Sequence, residues 1–430
     1  GRGDPRADRN QELFRRKDNP LIPDLIALPN GVRLVVDPMP GLRSAAIGVF
    51  VRAGTIDETR AENGAAHLLE HMAFKGTRRR TARQIAEEIE AVGGYMNAGT
   101  GYTRTGYYAR VLSGDVALGF DILGDILGDP AFDPAELEKE QEVVIQEIGE
   151  AADQPDDAVM ELLQTLSYGD HPLGRPILGT DESVEAQTPA TLRAFMSRTY
   201  SARDMVIAVA GGVEPEAVER LARKTFAFAS AAPAPPRQPA RYVGGRRHEA
   251  RDIEQTHLAL AFAGASVTAE DYYATRVFVE ALGGGMSSRI FQSVREERGL
   301  AYAVHAFADA YEDVGTVGVY AGTDAGNAAE AIALIRRDIE ALAVAPTERE
   351  IERSKAMLKS TVLMALENPS NRIETAVGQL YAHGRLIPPE ELAARLDAVT
   401  IADVKAAAAK ALTGAASLSV VGPGRFERFE

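Results

Sequence analysis

Asp133-Pro134-Ala135-Glu136-Leu137-Glu138-Lys139 and Thr347-Glu348-Arg349-Glu350-Ile351-Glu352-Arg353 read as one helix start written twice. Each opens on a side chain whose oxygen can cap a helix and carries Glu at the third helical position, as a capping box does. Pro134 suits the first helical position, where no backbone N–H is needed. The second copy begins 214 residues after the first. Further landmarks repeat at nearly the same distance. Thr188-Pro189 opens a helix leading to the apolar strand Met205–Ala210 and Gly211, and Thr400 opens one leading to Leu418–Val421 and Gly422, at offsets of 212 and 211 residues. A common spacing over several landmarks marks an internal duplication.

Working outward, Gly31–Val36 and Ala45–Arg52 read as a strand pair, and a helix is expected from about Asn63 to Phe74. Thr81–Gln84 is a capping box for a helix to Val92 that ends at Gly93-Gly94. Tyr107–Val111 reads as a strand, and Val116–Leu127 has apolar residues at helical spacing. Strands and helices interleave without a regular βαβ alternation. The fold class expected is therefore α+β: two homologous α+β domains, each a mostly antiparallel sheet packed with helices, enclosing a cavity. Ala231–Pro239 is rich in proline and Gly244-Gly245 follows, which favours an extended spacer. The expected organisation is a disordered arm over 1–20, one domain over 21–230, a linker over 231–247 and a second domain over 248–430.

Composition narrows the chemistry. The 430 residues include 62 acidic and 47 basic side chains, for a net charge of −15, and no cysteine. No apolar run approaches the ~18 residues of a membrane span. The acidic balance argues against nucleic acid and is compatible with basic ligands. Without cysteine there are no disulfides, thiolate nucleophiles or zinc ribbons, so any metal must be held by His, Asp or Glu. No Gly-x-Gly-x-x-Gly follows a strand, and no Walker loop is present.

Of only seven histidines, two stand in His67-Leu68-Leu69-Glu70-His71. Positions four apart share one helix face, so both imidazoles can reach one metal ion. Glu70 stays near that face and can take a proton from water at the metal without being a ligand. A catalytic zinc site needs a third protein ligand and an open position. The helix from Asp133 offers Glu136, Glu138, Glu140, Glu142, Glu147 and Glu150, of which Glu140 and Glu147 lie two turns apart on one stripe. Composition alone does not choose among them.

His67–His71, running on as Met72-Ala73-Phe74-Lys75-Gly76-Thr77, resembles the inverted zinc motif of the pitrilysin-type (inverzincin, M16) metallopeptidases. It looks most like the mitochondrial-processing-peptidase-like branch (M16B). The resemblance runs from about Leu28 and includes Gly93-Gly94-Tyr95-Met96-Asn97-Ala98, Leu173-Gly174-Arg175-Pro176-Ile177-Leu178-Gly179-Thr180 and Gly283–Tyr302. It implies one zinc ion per chain, held by His67, His71 and Glu147, with Glu70 as the base and Glu140 as a supporting acid. It implies that Arg295 and Tyr302 bind the substrate carbonyl and the developing oxyanion, for which a guanidinium and a phenol are suitable donors. Asn97, Ala98 and Gly99 would pair with substrate backbone at a sheet edge, a mode that tolerates many sequences. Phe74 resembles the residue lining the pocket past the scissile bond. Asp157 and Glu161 match positions that hold a basic side chain. Gly99 and Thr103 depart from the family pattern, where a bulkier aromatic and an acid are usual.

With offsets of 210 and 214, Val277 and Ala281 stand where His67 and His71 do, and Thr361 where Glu147 does, so the second half is expected to be metal-free. The function implied is a zinc-dependent endopeptidase for peptides or unfolded segments, working as a homodimer whose four domains close a chamber. A hetero-partner is the variant of that arrangement. The alternative from another class is a non-catalytic structural subunit of the same fold. A bacterial cytoplasmic setting is expected, with periplasm and mitochondrial matrix as alternatives.

Overall fold

Met205–Gly211 is buried at every position, which demands a neighbouring strand on each side and cover on both faces. The computed structural model, which describes residues 22–230 and 232–424, supplies both. The expected arm over 1–20 lies outside the described residues. The first sheet contains β1 (Asp24–Ala27), β2 (Arg33–Pro38), β3 (Ser44–Val51), β4 (Tyr95–Thr100), β5 (Thr105–Leu112) and β6 (Met205–Gly211), in the order β1-β2-β6-β3-β5-β4. The second contains β7 (Gly245–Ala250), β8 (Gln255–Gly264), β9 (Ala301–Ala310), β10 (Gly315–Asp324) and β11 (Ala416–Gly422), in the order β7-β11-β8-β10-β9. The β2–β6 and β7–β11 pairs are parallel and the rest antiparallel. Without β1, the two sheets have the same order and the same strand directions.

One expectation needs correcting. β2 and β3 are not a pair, because β6 lies between them. A strand apolar on both faces is best buried in the middle of a sheet, and that outweighs the short connection between β2 and β3.

The first half carries helices α1 (Ala65–Ala73), α2 (Ala82–Ala91), α3 (Val116–Gly128), α4 (Pro134–Asp153), α5 (Pro155–Tyr168), α6 (Asp181–Glu185), α7 (Pro189–Thr199) and α8 (Pro215–Thr225). The second carries α9 (Tyr272–Gly283), α10 (Ala328–Val344), α11 (Glu348–Ala365), α12 (Pro369–His383), α13 (Pro389–Asp397) and α14 (Ile401–Leu412), with a π-helical stretch over Phe291–Glu297. Thr347 and Glu350 make the reciprocal capping box at α11. At α4 only half of it forms: Asp133 accepts from the N–H groups of Ala135 and Glu136, while the Glu136 carboxylate turns to Lys139.

The halves exchange one helix each. Val159, Leu162 and Leu163 of α5 pack on Ala259, Ala261, Tyr320 and Val421 of the second sheet. Ile373, Ala376, Val377 and Leu380 of α12 pack on Val35, Ala46, Phe50, Val206 and Ala208 of the first. Each large apolar side chain so buried contributes about 1.5–3 kcal/mol. Ion pairs Arg372–Asp37 (2.7 Å) and Arg104–Glu374 (2.6 Å) flank α12. With both faces covered, β3 is apolar from Ala45 to Val51 without alternation.

Candidate metal centre

α1 has two faces. Ala65, Ala66, Leu68, Leu69, Met72 and Ala73 are buried in the core, and His67, Glu70 and His71 stand on the other side, half-buried. On α4, Leu137, Glu140, Val144 and Glu147 follow one stripe, spaced by three and four residues, with the first three buried. The two faces meet. Nε2 of His67 and of His71 lie 3.8 and 3.6 Å from the same Glu147 oxygen. Among the described residues, His67, His71 and Glu147 are the cluster whose ligand atoms all lie within 4.8 Å of one another. Ligands at about 2.0–2.1 Å around a tetrahedral zinc stand about 3.4 Å apart, so the donor set fits that ion with little movement.

The surroundings prepare these atoms for a cation. His71 Nδ1 lies 3.0 Å from a Glu140 oxygen, and Lys75 holds the other Glu140 oxygen at 2.6 Å. With Nδ1–H of His71 donating to the Glu140 carboxylate, the Nε2 lone pair is free to face a metal. Burial, helped by His71, pulls the His67 imidazole down to about 4, so it is neutral at ordinary pH. Burial, with the nearby Glu147 charge, raises the Glu70 carboxyl, against the pull of Thr100 and His71. Such a shift moves a carboxylate toward the range where it can accept and return a proton. Thr100 Oγ1 donates to Glu70 at 2.5 Å and fixes its direction.

Sequence reading did not single out Thr100. The signal was strand alternation: Met96, Ala98 and Thr100 share one face of β4, and Met96 and Ala98 pack toward the core beneath α1. β4 is an edge strand, so Asn97, Ala98 and Gly99 stand beside unpaired backbone. Asn97 turns to the Tyr95 hydroxyl and to the Ala98 N–H. Phe74 packs on the first core, its ring 6.5 Å from that of Tyr107.

Arg295 stacks between the Phe291 and Tyr302 rings, at 4.7 and 4.6 Å, and Tyr302 is 80% exposed. The Tyr102 ring just past β4 meets the Tyr311 ring just past β9 at 6.1 Å. Tyr302 stands nine residues back along β9, about 30 Å from that junction at 3.3 Å per residue. Glu161 lines a cavity of about 240 Å³ beginning one residue past Glu147, together with Ile148, Arg247, Glu249 and Arg251. Burial, then Asp157 and Glu249, raises its carboxyl. Glu161 and Asp157 are both exposed, and Asp157 does not line the cavity. Among the described residues no helix is long and apolar enough to cross a membrane.

Comparison with known proteins gives concordant matches. Residues 34–181 match the family model described as insulinase (peptidase family M16), and residues 187–358 match the one described as peptidase M16 inactive domain. A protein of Rickettsia bellii described as an uncharacterized zinc protease is 37% identical over 94% of this chain and 98% of its own length. One of Bacillus subtilis with the same description is 35% identical over 92% and 97%. A crystal structure of a peptidase M16 inactive domain from Pseudomonas fluorescens superposes with a TM-score of 0.87, at 21% identity, over 95% of this chain and all of its own.

Proposed function

This chain belongs to the M16 peptidase family, and on that footing we propose that it is a zinc-dependent endopeptidase acting on peptides or unfolded segments inside a closed chamber. The observation that carries the reading is the convergence of His67, His71 and Glu147 with a fourth group, Glu70, beside them and held by Thr100. Bound zinc, one ion per chain, would supply Lewis acidity for the attack of water on a peptide carbonyl. Glu70 takes the proton of the attacking water and returns it to the leaving amine. Glu140 holds the His71 ring in place. The edge of β4 at Asn97, Ala98 and Gly99 pairs with substrate backbone, Phe74 borders the position past the scissile bond, and Asp157 with Glu161 favours basic side chains. The branch assigned is the mitochondrial-processing-peptidase-like one, in a bacterial cytoplasm.

The halves divide this work. The expected linker over 231–247 ends earlier, because β7 begins at Gly245: residues 22–230 are assigned to the metal-binding catalytic domain, 232–244 to the linker and 245–424 to the metal-free domain. Tyr302 is exposed and Arg295 stacks on it, so the pair is open to a second copy, and we assign both to the metal site of that copy, in a homodimer. There they donate to the developing oxyanion.

Glu70→Gln is the first test. Zinc content, read by elemental analysis, should stay at one per chain, while turnover of a basic fluorogenic peptide falls about 10²–10⁴-fold. Wild-type turnover in that variant sinks the mechanism. Mixing Glu70→Gln with Arg295→Ala tests the sharing. A shared site is rebuilt once in each mixed dimer, so activity should recover to about a quarter of wild type. No recovery, with mixed dimers present by size and mass, places both groups on one chain.

A further inference from the structure

Leu173–Thr180 belongs to none of the roles above, yet it is tied to the helix that carries the histidines. The link is Glu58. Its side chain is 3% exposed, ahead of α1, and both its oxygens are engaged. One accepts from the Ala66 N–H at 2.7 Å, and the other from the Gly64 N–H at 3.0 Å and the Asn63 amide at 3.1 Å. The two backbone N–H groups are donors that the start of a helix leaves unpaired, and Gly64 at the N-cap has no side chain to serve them. Ala66 is followed directly by His67.

The same turn is held from behind. The Asn63 amide also donates to Pro176 O at 2.9 Å, Arg175 donates to Glu58 O at 3.0 Å, and Ser183 donates to Asn63 O at 2.7 Å. Contact here is close enough to exclude side chains. Gly64 has φ +88°, and a Cβ on it would stand 2.7 Å from Leu178 O; Gly179 has φ +84°, and its Cβ would stand 2.7 Å from Asn63 O. The far end of this segment reaches the other ligand helix. Gln141 of α4 donates to the carbonyls of Val184, Glu185 and Gln187 at 2.7, 3.1 and 3.1 Å. Gln187 in turn donates to Ala61 O at 3.1 Å. Glu58, the Arg175–Gln187 segment and Gln141 thus make a continuous hydrogen-bonded path from the start of α1 to α4, beside Glu140.

We propose that Glu58 is a positioning residue for the metal centre: by capping α1 and locking it to the Arg175–Gln187 segment, it sets the spacing of His67 and His71 from Glu147 before a metal arrives. The inference rests on the zinc reading above. Geometry that is fixed in advance spares the ordering that binding otherwise requires. Glu58→Gln keeps the volume but replaces one of the two accepting oxygens by an NH₂ facing a donor, so the cap is weakened without opening a cavity. Burial pushes the Glu58 carboxyl up to about 8, against the pull of these three donors.

The test uses the full chain. Zinc affinity is measured by competition with a chromogenic chelator, and amide exchange of α1 is measured on the metal-free protein. Glu58→Gln should bind zinc about 10–100-fold more weakly, as for other groups that orient ligands, and exchange faster at the start of α1. Thr400→Ala, which removes the side-chain cap of α14 in the other half, should lower the melting temperature with zinc affinity unchanged. If Glu58→Gln does not fold, Asn63→Ala replaces it, with weaker zinc binding expected in the same direction. Wild-type zinc affinity in the folded Glu58 or Asn63 variant overturns the proposal while leaving the metal reading intact. Failure of the wild-type chain to bind zinc overturns both.

Discussion

α1 and α9 occupy equivalent places in two halves with one strand order, and they meet their neighbours in opposite ways. α1 buries its apolar side and leaves His67 and His71, partly buried, facing Glu147 of α4, with Glu70 beside them. α9 buries Val277 and Ala281, at 0 and 1% exposure, in one core with Ile351 and Leu358 of α11. Where α4 carries Glu147, α11 carries Thr361, with exposed Met357 and Met364 one turn to either side. The helix pair is thus the same device with two fillings. Packed with aliphatic side chains it is a wall. Lined with two imidazoles and a carboxylate it brings together atoms that could hold a cation, and it then depends on something else to keep the helices at the right separation.

The sharpest way to break this comparison is to remove the corresponding residue from each pair. Glu147→Ala should abolish zinc binding at micromolar metal, a larger loss than the ~100-fold typical of a group behind the ligands. Thr361→Ala should change neither zinc content nor turnover. Zinc retained by Glu147→Ala at wild-type affinity would remove it from the ligand set.

Much of the His67, His71 and Glu147 cluster was legible in the sequence, because it depends on spacing. His67 and His71 at four residues, and Glu140 with Glu147 at seven, are local periodicities that a helix converts into shared faces. The duplication was legible for the same reason, since caps such as Thr347 and Thr400 recur at fixed offsets. What was hidden depends on contacts between distant segments. β6 enters between β2 and β3 from more than 150 residues away. α5 and α12 are amphipathic, but nothing local says that each covers the sheet of the other half. Thr100 and Glu58 serve the site through single hydrogen bonds or turns whose partners, Glu70 and the first residues of α1, are identified only once the chain is folded.

The reverse exchange, installing a ligand in the wall, should fail by destabilisation. Ala281→His forces an imidazole into a position with 1% exposure. Overpacking costs about 1–3 kcal/mol and an unsatisfied buried polar group about 1–3 kcal/mol more. Calorimetry should record a melting temperature several degrees lower, at about 2–4 °C per kcal/mol for a domain of this size, with no second zinc. A second equivalent of zinc bound by Ala281→His with undiminished stability would mean that the α9–α11 gap is open after all.

The smallest expected effect separates the two helix starts with which the duplication was recognised. In α11, Glu350 pairs with Arg289 at 2.6 Å and accepts from the Thr347 N–H at 2.8 Å, joining the helix to the residues after α9. The Arg289 bond, against burial and with help from Thr347, pulls the Glu350 carboxyl from 4.5 to about 2. In α4 the equivalent Glu136 reaches only Lys139 on its own helix, a largely exposed pair of the kind worth about 0–1 kcal/mol. A carboxyl whose folded value is depressed stabilises the fold fully above its unfolded value, and loses that contribution as pH falls toward its folded value. Glu350→Gln should therefore melt a few degrees below wild type at pH 7, and the gap should narrow steadily between pH 5 and pH 2. Glu136→Gln should differ little from wild type throughout. A Glu350→Gln gap that stays constant down to pH 3 would mean that the charge of Glu350 is not what ties α11 to Arg289, and that the two helix starts differ in packing rather than in electrostatics.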